Sequence, residues 1–172
     1  MSKNVLVVVD MQNDFIDGTL GTKEAQAIIE NVYQVIQGFD GEVVFTRDTH
    51  FENYADTQEG KKLPVPHCIK GANGWQINSK LKKLIKPETK IFDKITFGST
   101  ELAEYLKHNK ELEKVTIVGL CTDICVISNA LLIKANMPEV EIEVLESCCA
   151  GVTPESHINA LNAMKMCQIS VK

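Results

Sequence analysis

The chain has 172 residues, a formal net charge of −5 and 44% hydrophobic residues. This length suits a single domain over residues 1–172 with a sizeable core. The mild acidity argues against a nucleic-acid partner, and no apolar run is long enough to cross a bilayer. The chain starts without a signal peptide and its six cysteines are too sparse for a disulfide scaffold, so we expect a cytoplasmic protein.

Short apolar segments rich in β-branched residues alternate with amphipathic segments along the chain. The short segments predict buried strands, and the amphipathic ones predict helices. Alternation of this kind favours right-handed βαβ units. We therefore expect an α/β fold, a three-layer, Rossmann-like, doubly wound and mostly parallel sheet with helices on both faces. The predicted strands are 5–9, 42–46, 90–92, 115–118, 141–145 and an edge strand at 168–171, and the predicted helices are 22–37, 79–85, 100–108, 126–135 and 153–166.

The segment 115–135 carries a cysteine pattern between a strand and a helix. Gly119 to Cys125 form a tight turn that brings Cys125 to the start of the helix. Free N–H groups and the helix dipole at such a position favour an anion, which predicts a thiol that ionises easily. A buried cysteine that only fills space is the alternative interpretation.

Two charged residues follow other strands of the predicted sheet. Asp10 comes directly after the first strand and Lys94 comes two residues after the third. Because ligands bind at the carboxyl ends of parallel strands, we expect both side chains to meet Cys125 there. Cys125 would be the nucleophile, Asp10 the proton acceptor and donor, and Lys94 the stabiliser of negative charge.

A second cluster of polar residues flanks a long irregular segment at 51–75. Asp48 and His50 follow the second strand, and His67 lies at the far end of the segment. These ligand types suit one divalent transition metal ion, with Zn²⁺ favoured over Fe²⁺ and Mn²⁺. The alternative interpretation is that His50 and His67 cap turns and bind no metal. Glu59 is a candidate fourth ligand. Cys68 is a rival, but its side chain should point away from that of its neighbour His67 if this segment is extended.

The chain resembles the isochorismatase-like cysteine hydrolases, and among them the nicotinamidases, in five motifs that occur in the same order. The resemblance implies that Asp10, Lys94 and Cys125 form the catalytic triad and that Asp48, His50 and His67 bind the metal. It implies an oxyanion hole made by the backbone N–H groups of Cys121 and Cys125, beside a cis Leu120–Cys121 peptide bond. The motifs are D-M-Q-N-D-F at 10–15, D-T-H at 48–50, P-H-C at 66–68, Lys94, and G-L-C-T-D-I-C-V at 119–126.

The implied reaction is hydrolysis of a small carboxamide, nicotinamide first, with Phe15 contacting the substrate ring. Two positions depart from the family pattern: Pro64 stands where a ring-packing tryptophan is common, and Cys121 stands where alanine is more usual. We expect a small-molecule substrate, no nucleic-acid partner and no membrane, while a homo-oligomer is left open. The alternatives are hydrolysis of another small amide, and a thiol redox or metal-binding protein that uses Cys121, Cys125, Cys148 and Cys149.

Overall fold

Within the residues described by the computed structural model, 2–172, six parallel strands form one sheet in the order β3-β2-β1-β4-β5-β6. The chain winds outward from β1 to β3, crosses to β4 beside β1, and winds outward again to β6. This reversal of direction between β1 and β4 creates the crevice in which doubly wound sheets bind ligands. The predicted fold class is confirmed. The strands are β1 Asn4–Val9, β2 Glu42–Asp48, β3 Ile91–Lys94, β4 Lys114–Leu120, β5 Glu141–Ala150 and β6 Ser170–Val171.

Helices cover both faces of the sheet and make two separate cores. Val5 and Val7 of β1 point into one core, which the last three helices complete. Leu6 and Val8 point into the other core, which is completed by helices from the first half of the chain. The alternation of side chains along a strand therefore produces the three layers. The helices are α1 Asn13–Ile16, α2 Lys23–Ala27, α3 Ile29–Gly38, α4 Gln58–Lys62, α5 Ser79–Lys82, α6 Thr100–His108, α7 Ile127–Asn136 and α8 Pro154–Met166.

The helix predicted over 22–37 is divided into α2 and α3 at Ile28, whose N–H bonds to the carbonyl of Gln26. The segment 51–75 is less irregular than predicted, because it holds a 3₁₀ turn at Tyr54–Asp56 and the short helix α4. Thr57 caps α4 by accepting a hydrogen bond from the N–H of Gly60. The helix α4 is only five residues long, so it cannot show the repeating spacing of apolar residues from which helices are predicted. The sequence pattern missed it for this reason.

The end of β4 is shaped by Gly119, which has a φ of +120°. A Cβ atom at this position would lie 2.0 Å from the carbonyl oxygen of Val9 on the neighbouring strand. Only glycine allows so close an approach. The Leu120–Cys121 peptide bond is cis, as the family resemblance implied. No helix within residues 2–172 is both long and apolar enough to cross a membrane.

Candidate active site

Asp10, Lys94 and Cys125 lie together at the carboxyl edge of the sheet, as predicted. Asp10 follows β1, Lys94 is the last residue of β3, and Cys125 lies in a π-helical turn, Thr122–Val126, after β4. The Lys94 Nζ is 2.6 Å from Asp10 Oδ2 and donates a hydrogen bond to Cys125 Sγ at 3.4 Å. All three side chains are buried. An ammonium that touches both a carboxylate and a thiol can support nucleophilic cysteine chemistry, because it places a base and a positive charge beside the sulfur.

Asp10 is fixed in a strained backbone conformation, with a φ of +46°. Its Oδ1 accepts a hydrogen bond from the Thr46 hydroxyl at 2.7 Å, and its N–H donates to the carbonyl oxygen of Thr46 at 3.3 Å. Burial raises the pKa of the Asp10 carboxyl, while Lys94 and Thr46 oppose that rise. The carboxylate is therefore held in place and remains basic enough to accept a proton.

The pKa of Cys125 corrects one expectation. Burial, followed by the negative charge of Asp10, raises the pKa of the thiol well above its usual value, and the nearby Lys94 only partly opposes this. The helix terminus was expected to lower that pKa, but complete loss of solvent outweighs it. Burial therefore favours the thiol form of Cys125 over the thiolate. A nucleophile in this state needs a base beside it, and the candidate is Asp10, whose carboxylate contacts the same Lys94 ammonium as the Cys125 sulfur.

Lys94 stays cationic inside the site. Burial alone lowers the pKa of an ammonium, but the charges of Asp10, Cys125 and Asp48 raise the pKa of Lys94 well above its usual value. Its Nζ also donates a hydrogen bond to the carbonyl oxygen of Thr96 at 3.1 Å.

Asp48, His50, Glu59 and His67 form a carboxylate–histidine cluster beside the triad, with one donor atom of each within 4.8 Å of the others. The Nε2 atom of His50 lies 3.0 Å from Asp48 Oδ2 and 3.6 Å from Glu59 Oε1. The Nε2 atom of His67 lies 3.4 Å and 3.7 Å from the same two oxygens. Donors bound at about 2.0–2.2 Å around a tetrahedral ion stand roughly 3.3–3.6 Å apart. The cluster therefore fits one transition metal ion.

Two further observations support a metal at this place. The Nδ1 atom of His67 lies 2.8 Å from the carbonyl oxygen of Val65, which orients the ring so that Nε2 faces the carboxylates. Asp48 Oδ1 is buried and makes no hydrogen bond within the described chain, although Lys94 Nζ lies 3.5 Å away. The pKa of Asp48 is lowered, because hydrogen bonds from His50 and His67 outweigh the effect of burial. An ionised aspartate between two imidazoles is a set of donors that binds metal readily.

Cys68 is not a member of the cluster, but the extended backbone on which that expectation depended is absent at this residue. Its φ is +47°, and its N–H donates a hydrogen bond to Asp14 Oδ2 at 2.7 Å. Asp14 belongs to the D-M-Q-N-D-F motif and thereby fixes the backbone that carries His67. Burial raises the pKa of the Cys68 thiol, which opposes its ionisation.

A cavity of about 650 Å³ opens over Cys125 and the carboxylate–histidine cluster. Phe15 lines it, with its ring centroid 5.6 Å from that of His67. Pro64 is exposed and does not line the cavity, whereas its neighbour Leu63 does. The mouth is surrounded by exposed apolar side chains, which offer contact area to an apolar ring. These are Phe51, Leu63, Ile95 and Phe97.

Cys121 and Cys125 border the same cavity from the turn after β4. Within the described residues, the N–H of Cys121 donates to no acceptor, so it is free to bind an oxyanion. Thr122 anchors the turn through a 2.7 Å hydrogen bond between its hydroxyl and Nδ1 of His157 on α8. Burial raises the pKa of Cys121 to about 12, so this thiol stays protonated beside the nucleophile.

A family model described as the isochorismatase domain matches residues 4–171. The chain belongs to the isochorismatase family. It is 30% identical to an isochorismatase family protein of Bacillus subtilis over 93% of each chain. It is 26% identical to a nicotinamidase/pyrazinamidase of Mycobacterium tuberculosis over 96% of each chain. A solved pyrazinamidase of Pyrococcus horikoshii in complex with zinc is 28% identical, with a TM-score of 0.83 over 99% of this chain and 98% of that one.

Three residues that support the site of this isochorismatase family member were not predicted. Thr46 holds Asp10. Gln12 accepts from the N–H of Asp48 at 2.7 Å and donates to its carbonyl oxygen at 2.8 Å, so it extends the sheet by one more pair of hydrogen bonds. Asn129 bonds to the carbonyl oxygen of Cys125. Two of these residues could have been found from the sequence. Gln12 lies inside the D-M-Q-N-D-F motif, and Asn129 is a polar residue within an otherwise apolar helix.

The positions of the cysteines argue against the alternative of a thiol redox or metal-binding protein. Cys148 and Cys149 belong to the cores on opposite faces of the sheet, because neighbouring residues of β5 alternate. All six cysteines are free thiols. Burial also raises the pKa of Cys149 to about 12. Vicinal thiols that point in opposite directions cannot form the compact thiol cluster that this alternative needs.

Proposed function

We propose that this protein is a metal-dependent cysteine amidohydrolase that converts nicotinamide and water into nicotinate and ammonia. One observation carries the proposal: Asp10, Lys94 and Cys125 converge beside the carboxylate–histidine cluster, and Cys125 and the cluster line one cavity. The nicotinamidase/pyrazinamidase relative and the zinc-bound pyrazinamidase relative support the substrate class.

Cys125 begins the reaction from its thiol form. As its sulfur attacks the carboxamide carbon, Asp10 accepts the thiol proton, so no free thiolate has to be stable beforehand. The developing oxyanion accepts hydrogen bonds from the backbone N–H groups of Cys121 and Cys125. One such donor typically lowers the barrier by about 3–4 kcal/mol. Lys94 remains charged and offsets the negative charge that builds up on sulfur and oxygen.

Asp10 then returns its proton to the amide nitrogen, the carbon–nitrogen bond breaks, and ammonia leaves. The product is a thioester between Cys125 and the acyl group. Asp10 next accepts a proton from the attacking water, and collapse of the second tetrahedral species breaks the carbon–sulfur bond. The proton returns from Asp10 to Cys125, so one water is consumed and both residues are restored.

The carboxylate–histidine cluster would hold the metal, for which we propose Zn²⁺ because carboxylate and imidazole donors suit it and the Pyrococcus relative is a zinc complex. When bound there, such an ion would supply an electrophilic site for the pyridine nitrogen of the substrate and would thereby orient the carboxamide. Phe15 contacts one face of the ring, and the apolar mouth of the cavity, rather than a tryptophan at position 64, packs on the remainder. Orientation over Cys125 is the purpose of these contacts.

Release of ammonia from a panel of amides tests the proposal. Nicotinamide and pyrazinamide carry a ring nitrogen in the same relation to the carboxamide and should both be hydrolysed. Benzamide has the same shape without that nitrogen and should be at least about a hundredfold slower in kcat/KM, since only orientation is lost. Equal rates on benzamide and nicotinamide would refute orientation through the ring nitrogen. Turnover of an aliphatic amide without turnover of nicotinamide would assign the protein to another small amide.

A further inference from the structure

The side chain of Asn129 lies at the contact between α7 and two segments of the active site. Its Nδ2 donates a hydrogen bond to the carbonyl oxygen of Cys125 at 2.8 Å and a second to the carbonyl oxygen of Phe97 at 3.1 Å. Its Oδ1 accepts a hydrogen bond from the N–H of Ser99 at 2.9 Å. The side chain is completely buried.

These partners determine the orientation of the Asn129 amide. Two carbonyl oxygens need donors and one N–H needs an acceptor, so only one of the two ways of placing the amide satisfies all three. No other uncharged side chain of similar size offers two donors and one acceptor in a plane. The hydrogen-bonding partners at this position therefore require asparagine, whatever the helix propensity of that residue.

The segment that Asn129 holds is the 95–99 loop, which follows Lys94. Lys94 itself donates to the carbonyl oxygen of Thr96, and Ile95 and Phe97 line the cavity. Ser99 ends the loop and caps α6, since its hydroxyl accepts from the N–H of Leu102 at 3.1 Å. The loop therefore links the charged member of the triad to the apolar mouth of the cavity.

We propose that Asn129 is a positioning residue that sets the spacing between Cys125 and the 95–99 loop. One bond fixes the backbone of the nucleophile, and two bonds fix the loop that carries the cavity wall beside Lys94. The inference rests on the proposed function, because it assigns a role in that reaction, and it separates into two parts. The Cys125 bond governs the chemical step, and the Phe97 and Ser99 bonds govern substrate binding.

Two substitutions separate these parts. Asn129→Asp keeps the shape but replaces both donors by an acceptor, so the carbonyl oxygens of Cys125 and Phe97 face a carboxylate oxygen. Asn129→Thr restores one donor, because a threonine hydroxyl in a helix bonds to the carbonyl oxygen four residues earlier, which here belongs to Cys125. It leaves the 95–99 loop without a partner.

Asn136 supplies a matched control on the same helix. Its Nδ2 donates to the carbonyl oxygen four residues earlier, that of Leu132, at 2.9 Å, and neither residue lines the cavity. Asn136→Asp therefore makes the same chemical change away from the site. The measurements are kcat and KM for nicotinamide, hydrogen exchange of the amides in the 95–99 loop, and alkylation of Cys125 by iodoacetamide, followed in the Cys125 peptide.

Asn129→Asp should lower kcat by about tenfold to a hundredfold, accelerate exchange in the 95–99 loop and change the alkylation rate of Cys125. Asn129→Thr should recover most of kcat, with KM raised and loop exchange still fast. Asn136→Asp should match the wild type in all three. Unchanged kcat and exchange in Asn129→Asp, or equal losses of kcat in both Asn129 variants, would overturn the proposal.

Exchange and alkylation need no substrate, so they distinguish the two hypotheses. A wild-type protein that leaves nicotinamide intact refutes the proposed function, while the response of the loop and of Cys125 still decides the role of Asn129. If Asn129→Asp fails to fold, Asn129→Thr alone tests the proposal. Fast loop exchange with normal Cys125 alkylation then supports it, and slow loop exchange overturns it.

Discussion

Replacement of Thr46 by valine tests whether Asp10 works as the base. The Thr46 hydroxyl donates to Asp10 Oδ1 at 2.7 Å, and valine has the same shape without that donor. The hydrogen bond lowers the pKa of Asp10 against the effect of burial. Thr46→Val should therefore raise that pKa, and the acid limb of the kcat/KM profile should move to higher pH, because Asp10 must be ionised to accept the thiol proton.

The size of the displacement follows from the type of bond. A hydrogen bond to a charged group contributes about 1.5–3 kcal/mol, and 1.36 kcal/mol corresponds to one pH unit. The 2.6 Å contact between Asp10 and Lys94 survives the substitution and keeps the ionised form favoured. We therefore expect the lower end of the range, a displacement of about one pH unit, with kcat/KM above the limb reduced much less.

Thr116→Val is the matched control for this experiment. The Thr116 hydroxyl donates to Glu143 Oε1 at 2.8 Å, which is the same kind of buried bond in the same sheet, but neither residue lines the cavity. Both variants should lose about 1–2 kcal/mol of stability in urea unfolding. Only Thr46→Val should move the acid limb. A limb that stays in place while stability falls equally in both variants would refute the role of Asp10 as the ionised base.

Three further predictions follow from the geometry of the site. Cys125→Ala should abolish ammonia release, whereas Cys121→Ala should retain most of it because Cys121 contributes only its backbone N–H; the reverse order would reassign the nucleophile. His50→Ala should lose bound metal and activity without losing the fold, measured by metal analysis and circular dichroism, while the exposed His108→Ala should keep all three. Gly119→Ala should cost more than about 2 kcal/mol in urea unfolding, because its Cβ would lie 2.0 Å from a carbonyl oxygen of β1 and its φ is +120°; wild-type stability would contradict this.

The sequence predicted the parts of this protein that depend on short-range patterns. Runs such as 5–9 and 115–118 are apolar, β-branched and short, and each is a buried strand. The rule that polar residues meet at the carboxyl edge of a parallel sheet then placed Asp10, Lys94 and Cys125 together. Asp48 and His50, at the end of β2, lie at the same edge, although the sequence analysis treated them as a separate cluster. A residue that follows a strand can be placed from sequence alone, because the topology of a parallel sheet brings all the carboxyl ends of its strands to one edge.

The remaining features depend on three-dimensional contacts that no local pattern encodes. Thr46 is one threonine among several, and only the pairing of β1 with β2 brings its hydroxyl to Asp10. The pKa of Cys125 was wrongly predicted because the helix terminus is a local feature, whereas burial depends on the whole fold. The strand predicted over 141–145 continues to Ala150, since β4 and β5 pair again after a register shift at Gly119. Both wrong predictions, the pKa of Cys125 and the length of β5, relied on local sequence where contacts with distant parts of the chain decide the outcome.

Lys94 joins the two halves of the site into one electrostatic unit. Its ammonium lies 2.6 Å from Asp10 Oδ2, 3.5 Å from Asp48 Oδ1 and 3.4 Å from Cys125 Sγ. Two buried carboxylates therefore share one cation. Removal of that cation would leave Asp10 with only the Thr46 hydroxyl as a partner, which favours protonation of Asp10. A substitution of Lys94 thus changes the base and the carboxylate–histidine cluster together. Its effect on kcat should not equal the sum of separate changes at Asp10 and Asp48, because groups in contact couple strongly.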